Sequence, residues 1–393
     1  MRPLLDRLAK SFRSRPRFST GGAPSFDFSF SSSRPDVHEF YRTARAQSPV
    51  CFDASLGEWY VLSYDEAVWA FKNPQILSSK YTESFDPLVV GNDPPEHTAY
   101  RKILGRAMAG CDAAMVESYT ANWMQAFLEK TAGNGGAFEV VGDLACPLPE
   151  QFTGHMLGLS KLETETLMAM RPSNRTQLNE SWPDVTAYLS QLVSAANDRD
   201  PSTVFGALKS LGVPDALSDD EITGLLRLLW FAGTSTSTHF LPSLILLMLK
   251  NSDLAEKLSA DKALLAGFVN EALRMEGPTG VLPRKALQDF ELAGVKIPAN
   301  AMVKICILAA NSDPSVFPQP REFRFDRTVT SVAFGHGIHF CLGAMIAKTM
   351  AIGVASALAS RLPAMRADQP LDEVPYEPSD AFRSIRRLRV RLC

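Results

Sequence analysis

The stretch from Leu228 to Leu249 constrains this chain most, because it carries no formally charged side chain and is long enough to span a bilayer. Its middle, Gly233-Thr-Ser-Thr-Ser-Thr-His239, argues against lipid. A run of hydroxyl groups is costly in hydrocarbon and comfortable beside a polar cavity inside a protein. The stretch therefore reads as a long core helix of a soluble protein.

The chain has 393 residues, enough for one large core or for two domains. With 46% hydrophobic residues, 21% charged residues and a formal net charge of −3, it lacks the strongly basic balance of a nucleic-acid binder. Cysteines at positions 51, 111, 146, 306, 341 and 393 form no C-x-x-C pair. They imply neither a disulfide framework nor a structural zinc site, and point to a reducing, cytoplasmic setting. At the N-terminus, Arg2, Arg7, Lys10, Arg13, Arg15 and Arg17 face only Asp6, while Leu4, Leu5, Leu8 and Phe12 can share a helical face. The apolar stripe is too short to favour surface attachment or a transit role over a flexible basic extension, expected over residues 1–33.

Alternation and Gly57 predict a hairpin between Val50 and Leu62, followed by a helix opening near Ser63 with Asp65 and Glu66 in its first turn. Helical patterns run from Pro95 to about Lys130 with a break at Gly110, then a loop from Thr131 to Gly136, then long helices to Glu276. Beyond it, Pro278, Gly280, Pro283, Gly294, Pro298 and the β-branched run Val303 to Ile307 mark a small sheet region. A helix returns from Gly343 to Leu362, and Phe382 to Leu392 reads as a terminal hairpin. The expected class is mainly α, an α+β fold in one domain over residues 34–393.

Between Phe334 and Gly343 the sequence reads Phe-Gly-His-Gly-Ile-His-Phe-Cys-Leu-Gly, just before a long helix. A loop so rich in glycine brings backbone N–H groups close to a sulfur, and a helix N-terminus lowers a thiol's pKa. Both favour Cys341 as an anionic axial ligand to iron. Two other readings stay open from the residues alone: a buried free cysteine at a turn, and a zinc site from His336, His339 and Cys341.

This loop resembles the F-x-x-G-x-x-x-C-x-G haem-binding signature of the cytochrome P450 family, with Phe334, Gly337, Cys341 and Gly343 matching. Three further segments resemble the family in the expected order. Glu271-Ala-Leu-Arg274 fits its E-x-x-R helix, and Arg327 its third partner, with Ser312 where an arginine is frequent. At a spacing of three, Glu271 and Arg274 share a helical face, so their expected role is structural. Asp93 to Arg101 resembles the helix facing the haem edge; by this resemblance His97, Arg101, Arg284 and His339 are expected to hold the propionates of haem b. Ala232-Gly-Thr-Ser-Thr-Ser237 resembles the A-G-x-[D/E]-T-[T/S] segment over the oxygen site. There the resemblance assigns Thr236 as the oxygen-site alcohol, whereas Ser235 occupies the position where an acid is usual.

The resemblance implies a cytochrome P450 fold, with the long central helix over the haem, and a haem-thiolate monooxygenase. The expected pocket wall includes Phe85, Trp230, Thr234, Val281, Leu282 and Phe382, apolar enough for a small organic substrate. No nucleotide-binding G-x-G-x-x-G unit is visible, so a separate ferredoxin or flavodoxin-like protein with its reductase should supply electrons; Lys102, Arg106 and Lys348 are candidates for its docking face. The missing acid leaves a proton path through Thr234, Ser235 and Thr236 beside atypical chemistry: peroxide-driven, substrate-assisted, or nitric oxide reduction. A non-oxidising haem binder is the rival class.

Overall fold

A computed structural model describes residues 20–81, 88–172, 182–195, 198–212 and 215–392. The long helices are α1 (Val37–Gln47), α2 (Tyr64–Lys72), α3 (Glu96–Ala107), α4 (Ala113–Gly133), α5 (Pro147–Leu157), α6 (Lys161–Ala169), α7 (Trp182–Ala195), α8 (Asp219–Lys250), α9 (Lys262–Glu276) and α10 (Ala344–Ala359). The strands are β1 (Val50–Asp53), β2 (Glu58–Val61), β3 (Leu77–Ser78), β4 (Ala137–Glu139), β5 (Val281–Ala286), β6 (Phe290–Leu292), β7 (Val295–Ile297), β8 (Met302–Cys306), β9 (Met365–Ala367) and β10 (Arg389–Leu392).

The uncharged run forms the middle and C-terminal half of α8. Ser218 and Glu221 close a capping box at its start, satisfying backbone N–H groups that the helix leaves open. Leu225, Leu226, Leu244 and Ile245 are fully buried, each contributing about 1.5–3 kcal/mol through apolar burial. Helices α5, α7, α9 and α10 pack against α8, which places it at the centre of the helical body. Among the described residues, no helix is long and apolar enough to cross a membrane.

The hairpin expected between Val50 and Leu62 is β1–β2, paired antiparallel from Val50 opposite Val61. It continues into a five-stranded sheet, order β1-β2-β8-β5-β3. The C-terminal segment is not the expected self-contained hairpin. Strand β10 instead lies between β4 and β9, because the alternating partners it needs come from residues distant in sequence. Likewise α4 runs to Gly133, so the loop expected from Thr131 begins later, and β4 interrupts the helical series. The stretch 20–33 also departs from the expected extension over 1–33. Phe28 is fully buried and stacked on Tyr60 at 3.9 Å, and Ser31 and Ser32 are buried, because these side chains cover the sheet's edge. Residues 1–19 lie outside the described residues.

Candidate haem site

The glycine loop stands against α2. Gly337 has φ +68°, and a Cβ there would lie 2.5 Å from the carbonyl oxygen of Phe71, so glycine is required twice over. Gly335, at φ +71°, makes the preceding turn, and the Cys341 N–H donates to the Phe334 carbonyl at 2.9 Å. Cys341 thus sits two residues before Gly343, the residue that opens α10, and is half-buried. Burial pushes its thiol above the ordinary value, opposed by the Gly343 backbone N–H and the Arg101 charge. The expected lowering by the helix end is therefore outweighed by desolvation in the protein alone, and coordination to a cation is what would secure the thiolate.

The four residues expected to hold propionates converge beside this loop from three segments. The imidazoles of His97 on α3 and His339 on the loop lie 4.3 Å apart. Arg101, one turn after His97, donates to the carbonyl of Phe340. Arg284 on β5 lies over the ring of Phe71 at 5.7 Å and is almost completely buried. Burial, then Arg284, His97 and Arg101, push His339 down to about 3. Burial lowers Arg284 to about 10, although Tyr81 and Asp93 pull it upward. His97 is also lowered, by burial and then by Arg101.

Both ring nitrogens of His97 are buried without a hydrogen-bond partner, and Arg284 bonds only the carbonyl of Pro283 among the described residues. Asp93, which attracts Arg284 and His97 from a distance, is engaged by the Ser78 hydroxyl and the Ser79 N–H. Among the described residues, none of the four forms an ion pair. Buried basic groups crowded together without an acid are costly unless an anion completes them. Haem carries two propionates of the required charge, and a soft thiolate is a fitting iron ligand, so these residues fit that group. His339 Nε2 is 2.9 Å from Ser79 Oγ, which holds the ring toward this cluster. Phe334 packs beside the loop, with the Lys348 ammonium 5.5 Å from its ring.

Glu271 and Arg274 form a buried bidentate pair, at 2.8 Å through Nε and 2.7 Å through NH2. Arg327 joins at 3.0 Å to the same carboxylate, and Arg274 also donates to the carbonyls of Asn311 and Pro320. Every charge here has its partner.

The polar middle of α8 divides between two faces. Ala232 is exposed and Thr236 and Ser237 partly so, within a helix otherwise largely buried, which marks the wall of an open space. The Thr236 hydroxyl donates to the Ala232 carbonyl at 3.0 Å. Gly233 gives room to α5 as well, since a Cβ there would lie 2.8 Å from Thr153 Oγ1. Trp230, Thr234 and Ser235, by contrast, line a separate cavity bounded by α5 and the end of α6. That cavity also holds Glu150, Arg171, Arg227, Thr238 and His239. Glu150 was hidden because an acid in a helix's first turn ordinarily signals only a favourable dipole position.

Other expected wall residues have mixed surroundings. Val281 is packed among Phe28, Tyr60 and Cys306 in the core under the sheet, because its strand position points inward there. Leu282 is half-buried, and half-buried Phe382 lies 4.8 Å from the His239 ring. Phe85 lies outside the described residues. Of the expected docking cations, Arg106 is already paired with Asp215 at 2.7 Å.

The family described as Cytochrome P450 matches residues 190–358. The cytochrome P450 monooxygenase PikC of Streptomyces venezuelae is 28% identical over 379 residues, covering 91% of each chain. The 6-deoxyerythronolide B hydroxylase of Saccharopolyspora erythraea is also 28% identical, covering 93% of this chain and 98% of its own. The crystal structure of CYP109E1 from Bacillus megaterium in complex with testosterone superposes with a TM-score of 0.81 at 25% identity, covering 90% of this chain and 99% of the other. With a cysteine on a glycine loop and buried basic groups beside it that lack an acid partner, the chain matches the cytochrome P450 family model over residues 190–358 and is similar along almost its whole length to cytochrome P450 monooxygenases, a family whose members bind haem b.

Proposed function

We propose that this monooxygenase inserts one oxygen atom from O2 into a small, largely apolar organic substrate, with electrons from a separate ferredoxin or flavodoxin-like protein. The observation that carries the reading is the conjunction of Cys341 with the acid-free cluster of His97, Arg101, Arg284 and His339. When bound, haem supplies the oxygen chemistry. The chain's residues do the rest. Cys341 ligates iron, the four basic groups neutralise the propionates, and Phe334 and Gly343 shape the loop around the sulfur. Thr236 presents a lone pair to the open side of α8, its own proton being given to Ala232.

An apolar substrate is supported by Leu282 and Phe382 and by the relatives' names, one a hydroxylase of 6-deoxyerythronolide B and another bound to testosterone. Exposed Phe340 and Met345, with Lys348 close by in sequence and Lys102 next to Arg101, which donates to the Phe340 carbonyl, support electron entry on the thiolate side. The dispersed cysteines support a cytoplasmic setting.

The test is turnover of testosterone and 6-deoxyerythronolide B with NADPH, a surrogate ferredoxin and its reductase, beside the same assay with hydrogen peroxide alone. Oxygenated product in the first arm, following a ferric Soret shift on binding, is the expected result. Product with peroxide alone would favour the peroxide-driven reading that Ser235 suggests; haem binding without product or oxygen consumption in either arm would favour a non-oxidising binder.

A further inference from the structure

The cavity on the far side of α8 contains a carboxyl group facing the position where the usual acid is missing. Ser235 is buried, its hydroxyl has no hydrogen-bond partner, and it lines this cavity together with Glu150. Glu150 comes from the first turn of α5, the helix whose Thr153, one turn later, packs against Gly233. Its carboxylate is held in a bidentate pair by Arg171, at 2.7 Å through Nε and 2.6 Å through NH2. Arg171 remains partly exposed, at 31% of its side chain, whereas Glu150 is at 7%. The pair therefore reaches from solvent into the protein.

We infer that Glu150 replaces the absent acid of α8, delivering protons across this cavity to Ser235 and thence toward Thr236. The inference rests on the oxygen-activating function proposed above. A proton leaves the Glu150 carboxyl, the Ser235 oxygen accepts it through intervening water, and Ser235 releases its own proton toward the Thr236 side. Glu150 is left as a carboxylate stabilised by Arg171 and is reprotonated from solvent along that side chain. No electron moves. Glu150, Ser235, Thr238 and His239 among its lining give ordered water the several polar partners it needs. Thr236 cannot itself supply the proton while donating to Ala232, whereas the Ser235 proton is uncommitted.

Burial pushes the Glu150 carboxyl up to about 7, against the pull of Arg171, so both protonation states are accessible near neutrality. The other charged or titratable groups around it are Arg227 and His239 on α8 and Cys146 before α5, the last acting on Arg171. Glu150 acts through Ser235 and does not touch the reacting atoms.

The experiment uses the haem-loaded enzyme without added organic substrate. NADPH-driven oxygen consumption through a surrogate ferredoxin, and its solvent deuterium isotope effect, are measured for wild type, Glu150→Gln, Ser235→Ala and Glu150→Gln/Ser235→Asp. Infrared difference spectra of the ferric enzyme on either side of neutral pH report carboxyl protonation directly. Glu150→Gln should slow consumption by about 100-fold, the low end for a lost general acid, and raise the isotope effect. Ser235→Ala should do likewise, and the Asp-bearing double variant should recover most of the rate. The infrared signal of a protonated buried carboxyl should appear near neutrality in wild type and vanish in Glu150→Gln. The inference is overturned if the signal is absent, if Glu150→Gln or Ser235→Ala keeps the wild-type rate and isotope effect, or if Asp at position 235 restores nothing. A wild-type enzyme inert toward oxygen would sink the monooxygenase reading and the relay with it; an active wild type matched by Glu150→Gln would sink the relay alone.

Discussion

Two clusters of buried charge in this molecule obey opposite rules. Around Glu271, two arginines share one carboxylate and the remaining donors find carbonyls. Around His339, two arginines and two histidines face one another with no acid in contact among the described residues. The first cluster is finished by the chain and serves the fold. The second has no such partner among the described residues, and in the proposed function the haem propionates complete it; that incompleteness is what would distinguish a binding site from scaffolding.

Breaking the finished cluster should have the largest effect. Glu271→Ala leaves Arg274 and Arg327 buried without a counter-charge, and should cost about 3–5 kcal/mol, enough to prevent accumulation of folded holoenzyme. Thermal unfolding of the protein with and without haem would register the loss in both forms. Breaking the unfinished cluster should behave in reverse. Arg284→Leu should leave the haem-free protein as stable or more so, while speeding haem transfer to an acceptor protein by about 10–100-fold, the worth of a charged hydrogen bond. A variant that destabilised both forms equally would erase the distinction drawn here.

Acidity should separate the clusters again. Burial and Arg101 lower His97 from 6.5, so in the haem-free protein its neutral form contributes stability that is fully present above that value and is lost as pH falls below it. Glu271 is also lowered, from 4.5: burial raises it, but Arg274 and the other donors outweigh that. Its contribution is present above 4.5 and lost only as pH falls further. Denaturant titrations at stepped pH should therefore show two successive losses in the haem-free protein. Haem should flatten the first, because a propionate favours protonated His97, and leave the second.

Much of this contrast could be read before any coordinates. The spacing of Glu271 and Arg274 places both on one helical face, and the glycines around Cys341 announce a backbone that side chains would obstruct, as Gly337 against Phe71 bears out. The uncharged run of α8 has one reading once its hydroxyls are counted. What stayed hidden is non-local: β10 finds β4 across more than half of the chain and β9 beyond an intervening loop, and Glu150 meets the Ser235 cavity from another helix. Local periodicity carries no information about which face of α8 a hydroxyl shares with α5, so Trp230 and Thr234 could not be separated from the Thr236 side by pattern alone.

The smallest effect is expected at the surface. Arg106→Ala removes an exposed ion pair with Asp215 and should change unfolding stability by under about 1 kcal/mol. A larger change would mean that exposed and buried charges are less different here than the two clusters suggest.

The central claim, that Cys341 binds haem iron through sulfur, is tested most directly by the absorption spectrum of the reduced protein under carbon monoxide. The parent should show a Soret band displaced far to the red, and Cys341→His should retain haem with that displacement abolished. Identical spectra from the two proteins, with or without the displaced band, would contradict the account.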